Sequence, residues 1–374
     1  MNLFKGCFRE KKLVIFDDIY PNILTGFRIA EYNYYLQKIK NCEVYSSTSQ
    51  FYDLKNDYAV YYPDLADRIS FFDENRKYEA SLFYTVFLNN IYSFLPVIEA
   101  SQKPFVFTLY PGGGLGLDDQ ESDIKLKAVF ESSLFRRVIV TQKNIYDYLL
   151  KKRLCPKSQI EFIYGGVVPS DFFMRNSQKK QYYKKNKETL DICFVANKYM
   201  ERGIDKGYHI FVEVANQLCL ISPDIRFHVV GNFSPEDINL GNMKEKTTFY
   251  NVQKRDFFPE FYAYMDIILS PNLPFKLHAG SFDGFPTGCC VEAGLSGVAV
   301  FCTDELQLND YFKDRDELCI ISTKVDEIVD IVKYYLFNLD SLYKLSANCQ
   351  KKFYHTFDIK AQTQKRIKIL NRYL

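Results

Sequence analysis

An α/β protein of two domains, each built on a parallel sheet, is the fold class this sequence predicts, and three observations predict it. The chain has 374 residues, too many for one ordinary core and suited to about two domains. Short apolar runs alternate with longer amphipathic segments, which is the pattern of βα units. Those runs fall into two series, parted by a polar and strongly basic stretch.

In the first series the clearest strands are 13–16 (Leu-Val-Ile-Phe), 105–109, 138–141 and 160–163, short and largely apolar runs suited to a buried parallel sheet. Helices are expected between them at 30–39 and 82–98. The run from Ser177 to Glu188 follows, rich in lysine and tyrosine. It reads as a solvated linker, with contact to an anionic membrane surface as the alternative. In the second series strands are expected at 190–196, 225–230, 265–269, 298–302 and 318–321, with a first intervening helix at 208–220. Helical periodicity returns at 326–339 and 341–374. The predicted division is a first domain over 1–176, a linker over 177–189, a second domain over 190–345 and a C-terminal helix over 346–374 that crosses back to the first domain.

Composition narrows the function classes. With 48 basic and 46 acidic side chains the net charge is +2, which gives no electrostatic reason to propose nucleic acid as a partner. The 10 cysteines include no CxxC, and no histidines stand at zinc-finger spacing, so reduced thiols and no metal site are expected. The first 12 residues lack a continuous hydrophobic region, and no run of about 18 apolar residues occurs anywhere. Neither export nor membrane spanning is expected, and the predicted location is the cytoplasm, at most at the inner membrane surface.

The residues that carry chemistry cluster after the strands of the second series. Between the runs at 266–270 and 298–302 lies Ser281-Phe-Asp-Gly-Phe-Pro-Thr-Gly-Cys-Cys-Val-Glu-Ala-Gly294, a Gly/Pro loop tied to two carboxylates. Such a loop leaves a buried strand and opens a helix at Thr287 or Gly288, and open α/β sheets bind ligands at that place. The free amides at the helix start suit a phosphate. Glu292, about one turn in, is placed to accept two hydrogen bonds from vicinal hydroxyls such as those of a ribose. Asp283, on the loop, is a candidate for hydroxyls of a second sugar. Earlier, Lys198 and Lys206-Gly207 follow the strand at 190–196 and offer cations beside a second helix start. In the first series Gly26 follows the strand at 13–16 and allows close approach of backbone to a diphosphate. The glycine-rich Tyr110-Pro-Gly-Gly-Gly-Leu-Gly116 fits neither GxGxxG nor a P-loop and is expected to line the cleft on the acceptor side. Asp314-Arg-Asp316 spells a DxD pair, but it lies in a polar stretch away from these residues.

With these motifs the chain resembles the GT-B glycosyltransferases of the large retaining group, family four and its relatives, over nearly its whole length and most strongly from Asp191 to Asp310. The resemblance implies two Rossmann-like domains facing each other across a cleft. It implies a nucleotide-diphosphate sugar as donor, no further cofactor, no metal, and a glycan or lipid-linked acceptor in bacterial surface polysaccharide synthesis. Asp283 and the amides of Gly284, Phe285, Pro286, Thr287 and Gly288 would meet the transferred sugar, as far as proline permits, while Glu292 would hold the ribose and Lys206-Gly207 the diphosphate. Lys198, Lys206 and Asp283 are the residues expected to carry the chemistry. Two departures stand out: one more residue than usual separates the two carboxylates, and Ala196-Asn197-Lys198 replaces the usual Gly-Arg. A non-catalytic sugar-nucleotide-binding scaffold and a sugar-nucleotide epimerase are the alternatives.

Overall fold

The computed structural model describes residues 11–374. The expectations for residues 1–10, including Cys7, lie outside the described residues. The chain forms two all-parallel sheets. The first holds β1 (Leu13–Asp17), β2 (Cys42–Ser46), β3 (Ile69–Phe71), β4 (Leu82–Val86), β5 (Phe105–Leu109), β6 (Phe135–Val140) and β7 (Ile160–Phe162), in the order β3-β2-β1-β4-β5-β6-β7. The second holds β8 (Leu190–Val195), β9 (Ile225–Val230), β10 (Thr247–Phe249), β11 (Ile267–Ser270), β12 (Ala299–Thr303) and β13 (Cys319–Ile321), in the order β10-β9-β8-β11-β12-β13. In both the strand order reverses beside the first strand, between β1 and β4 and between β8 and β11. The loops at the carboxyl ends of those strands therefore splay apart, and crevices open there.

Thirteen helices cover the sheets: α1 (Gly26–Lys38), α2 (Phe51–Tyr61), α3 (Pro63–Ala66), α4 (Leu88–Ala100), α5 (Gln120–Glu131), α6 (Lys143–Lys151), α7 (Ser170–Arg175), α8 (Tyr208–Ile221), α9 (Phe258–Tyr264), α10 (Gly288–Leu295), α11 (Val325–Phe337), α12 (Leu339–Thr356) and α13 (Ile359–Asn371), counted among the described residues. Every residue of β1, β4, β5 and β12 is buried, as helices on both faces require. Each large apolar side chain so placed contributes about 1.5–3 kcal/mol. One approach is unusually close: a Cβ on Gly294 of α10 would lie 2.5 Å from the Phe353 ring and 3.0 Å from Cys349 Sγ, so glycine lets α12 seat directly against α10.

The structure corrects the helix expected at 82–98. Leu82–Val86 is a central strand, Phe87 turns the chain at φ 72°, and only then does α4 begin. A short apolar run buried on both faces has no period of its own, so strand and helix read alike there. The strands β2, β3 and β10 were not expected; β3 and β10 are three-residue sheet edges, too short to show a pattern. The stretch 177–189 is only partly solvated. Lys180 donates to the carbonyls of Tyr262 and Met265, and Lys187 sits 2.6 Å from both Asp191 and Asp266. Two of its lysines thus anchor the segment to the second sheet, because each buried ammonium finds backbone oxygens or carboxylates there. At the far end, α13 lies against α1 of the first sheet.

Candidate active site

Glu292 is the fifth residue of α10, and the helix starts at Gly288 behind Thr287. Its carboxylate faces the first half of the molecule: a Cβ placed on Gly26, the first residue of α1, would lie 3.4 Å from Glu292 Oε1. Two sequence candidates from opposite halves thereby meet across the gap between the sheets. Burial raises the Glu292 pKa from the ordinary carboxylate range to about 7, against the opposing pull of the Arg255 guanidinium. Arg255 and Gly26 line one crevice with Tyr61, Tyr62 and Lys254. The Arg255 guanidinium lies 4.0 Å over the Phe172 ring, and its Nε has no hydrogen-bond partner among the described residues.

Lys206 closes a short 3₁₀ segment after β8, and Gly207 begins the turn into α8. Gly207 has φ 68°, and a Cβ there would fall 1.9 Å from the Pro271 carbonyl oxygen. Only glycine suits that position, and it brings the loop after β8 onto the loop after β11. The consequence is an ion pair between those loops, with Lys206 Nζ 2.6 Å from Asp283 Oδ2. The same ammonium is 3.6 Å from Asp205 Oδ2 and 5.2 Å from the centre of the Tyr199 ring. Burial works against its charge, yet the Asp283 and Asp205 carboxylates hold its pKa above the ordinary lysine value. Lys198 stands apart from this pair. Its ammonium is 2.6 Å from Asp237 Oδ1, on the loop after β9.

The loop from Gly284 to Gly288 is held by the first half. The Tyr164 hydroxyl donates to the Phe285 carbonyl at 2.7 Å and the Gln142 amide donates to it at 3.3 Å. Nearby, the Leu117 amide donates to the Gly280 carbonyl at 2.9 Å, so the end of the glycine-rich loop also bridges the halves. A crevice of about 440 Å³, open to solvent, is lined by Asn272, Asp283, Phe285, Thr287, Thr303 and Asp304 among others. The segment from Asp283 to Glu292 thus runs from this crevice towards the one beside Gly26.

A scan against family models and a search of curated proteins find no match. Solved structures do match over nearly full length. Anabaena Alr3699/HepE in complex with UDP and glucose superimposes with a TM-score of 0.68 at 14% identity, covering 96% of this chain and 99% of that one. A glycosyltransferase from Rickettsia africae ESF-5 gives a TM-score of 0.70 at 13% identity, over 97% and 99%. A putative UDP-N-acetylglucosamine 2-epimerase from Listeria monocytogenes gives 0.58 at 12%, over 96% and 97%. With two parallel sheets whose switch points face one gap, these matches decide the architecture. The chain has the GT-B fold.

Within this GT-B frame the remaining candidates find their places. Tyr110 does not line the gap: it is buried, and its hydroxyl donates to Glu31 Oε2 at 2.7 Å beneath α1. In the DxD pair, Asp314 accepts from the Ile320 amide and Asp316 from the Asn348 amide, away from the gap. Among the described residues no group of three or more His, Cys, Asp or Glu side chains is placed to hold a metal ion, and no helix is long and apolar enough to cross a membrane. Sequence reasoning missed Asp205, Arg255, Gln142 and Tyr164 as residues of the gap. Asp205 adjoins the Lys206-Gly207 pair, which was signal enough. Arg255 follows the short strand β10, and without that strand its loop was not recognised as a strand-end loop.

Proposed function

We propose that this GT-B protein is a glycosyltransferase that moves a sugar from a nucleotide-diphosphate donor to a glycan or lipid-linked acceptor, with retention of configuration and without a metal or other cofactor. The observation that carries it is the meeting of Glu292 with Gly26 across the gap, beside the Lys206–Asp283 pair. UDP and glucose bound to the Anabaena relative in fold support a sugar nucleotide as the ligand.

In this assignment the donor lies along the segment from Asp283 to Glu292. The Glu292 carboxylate accepts hydrogen bonds from the ribose hydroxyls, each contributing about 1.5–3 kcal/mol. Lys206 and the first amides of α10 face the diphosphate and stabilise the charge that develops on it as the glycosidic bond breaks. Asp283 and the Gly284–Gly288 backbone meet the sugar, and the acceptor enters from the side of the 112–117 loop. Lys198, bound to Asp237, reaches the diphosphate only by leaving that partner. Retention has the acceptor hydroxyl attack from the face the diphosphate leaves, which then takes its proton. A role in bacterial surface polysaccharide synthesis, in the cytoplasm or at the inner membrane surface, follows the same assignment, with the domain division at 176, 189 and 345 setting the donor-binding half apart.

The likeness to a putative 2-epimerase supports a second reading, a sugar-nucleotide epimerase. A thermal-shift screen of UDP, GDP, ADP and dTDP sugars, followed by product analysis with and without glycan acceptors, separates them. Transfer that requires acceptor supports the first, a changed sugar nucleotide without acceptor supports the second, and failure of every donor to raise the melting temperature sinks both.

A further inference from the structure

Lys206 has more negative charge around it than a phosphate-binding lysine needs. One ammonium stands between two carboxylates, 2.6 Å from Asp283 and 3.6 Å from Asp205. The two differ in freedom. Asp283 is exposed on its loop and can turn into water. Asp205 is 5% exposed, and neither of its carboxylate oxygens has a hydrogen-bond partner among the described residues. Its backbone is fixed as well: its carbonyl accepts from the Leu273 amide at 3.1 Å, and Gly207 two residues on is packed against Pro271. Any anion brought to Lys206 is therefore brought to an immobile carboxylate whose one counter-charge is that same ammonium.

We propose that Asp205 is a positioning residue that takes up a proton from solvent when a nucleotide-diphosphate sugar binds, leaving Lys206 free to direct its charge at the diphosphate. The proposal rests on the assignment of Lys206 to the diphosphate made above. Uptake converts the carboxylate to a neutral acid, and no other bond forms or breaks. The groups facing Asp205 are Lys206 on its own segment and Asp283 on the loop after β11, with Tyr199 over the Lys206 ammonium. Burial already raises the Asp205 pKa, with Lys206 opposing, and a nearby diphosphate raises it further because like charges disfavour the ionised form. Binding and protonation are then linked, and donor affinity falls as pH rises through the window between the free and bound pKa values.

The test is calorimetry with UDP-, GDP-, ADP- and dTDP-sugars, whose phosphates are both esterified and do not titrate near neutrality, in buffers of different ionisation enthalpy from about pH 5.5 to 8.5. Glu292 titrates in the same range with the opposite sense, so the readout is the difference between wild type and Asp205→Asn, both with Glu292 intact. Wild type is expected to take up as much as about one proton more than the variant for each donor bound, with affinity that declines by up to about tenfold per pH unit relative to it. Asp205→Asn keeps its binding, and Asp205→Ser guards against a folding defect peculiar to the amide. Equal proton uptake in wild type and Asp205→Asn overturns this inference alone. So does loss of binding in both variants at unchanged melting temperature. Binding of no sugar nucleotide by wild type overturns the donor assignment and this inference together.

Discussion

At Glu292 burial disfavours the charge that the proposed ribose contact needs, and that mismatch carries a signature in pH. With its pKa raised to about 7, the side chain accepts hydroxyl hydrogen bonds above that pH and loses half that capacity as pH falls through it. Donor KM is expected to rise on the acid side of about pH 7, and Glu292→Gln to flatten that rise while weakening donor binding roughly tenfold or more. A KM profile equally steep in the variant would remove Glu292 from the ribose. The same shift predicts a stability effect of opposite sign. Between the ordinary carboxylate value and about 7 the folded chain binds more protons than the unfolded one, so stability falls as pH rises through that window. Above it the cost is complete, and Glu292→Gln should be more stable than wild type by about 1–3 kcal/mol at pH 8, with the gain gone below about pH 4.5. Urea unfolding at the two pH values checks this. Greater stability with poorer binding would mark a residue kept for function.

At the scale of elements, the loop after β8 and the loop after β11 are joined through Gly207, whose left-handed φ and 1.9 Å approach to the Pro271 oxygen leave no room for a side chain. Gly207→Ala is expected to cost about 2–4 kcal/mol and to part Lys206 from Asp283. Urea unfolding and donor binding both read it, and a cost below about 1 kcal/mol would mean that the loops adjust freely. The Lys206-Gly207 pair was legible in the sequence because a lysine and a glycine at a helix start are informative without a partner. So were β1, β5, β8, β11 and β12, whose largely apolar runs stand out locally. What was not legible depends on partners distant in the chain. Tyr164 donates to Phe285 across 121 residues, and no local pattern names that partner. The strand at Leu82–Val86 passed for a helix because burial on both faces erases periodicity, and Lys180 passed for a solvated lysine because its acceptors, the carbonyls of Tyr262 and Met265, lie in another element.

Across the whole molecule, the last helix fixes the first half. Arg366 of α13 is 0% exposed, its Nε 3.9 Å from Glu31 Oε1, and it donates to the Gly165 carbonyl, the Gln362 side chain and the Tyr110 hydroxyl. Glu31 in turn accepts from Tyr35, Tyr84 and Tyr110, so one carboxylate gathers α1, β4 and the end of β5. Glu31 lies on the helix that begins at Gly26, the residue facing Glu292. The C-terminal helix thus stabilises the element that presents the first half to the candidate site. Arg366→Ala removes the cation and leaves a buried carboxylate without its counter-charge, and a cost of about 3–5 kcal/mol is expected. The pair Glu31→Gln with Arg366→Met removes both charges at similar volume and should cost less than the single change, since no charge is stranded. Urea unfolding of the three proteins decides it. If the double variant is the less stable, the three tyrosine hydroxyls that donate to Glu31 hold its carboxylate without the guanidinium, and α13 contributes by packing instead of by charge.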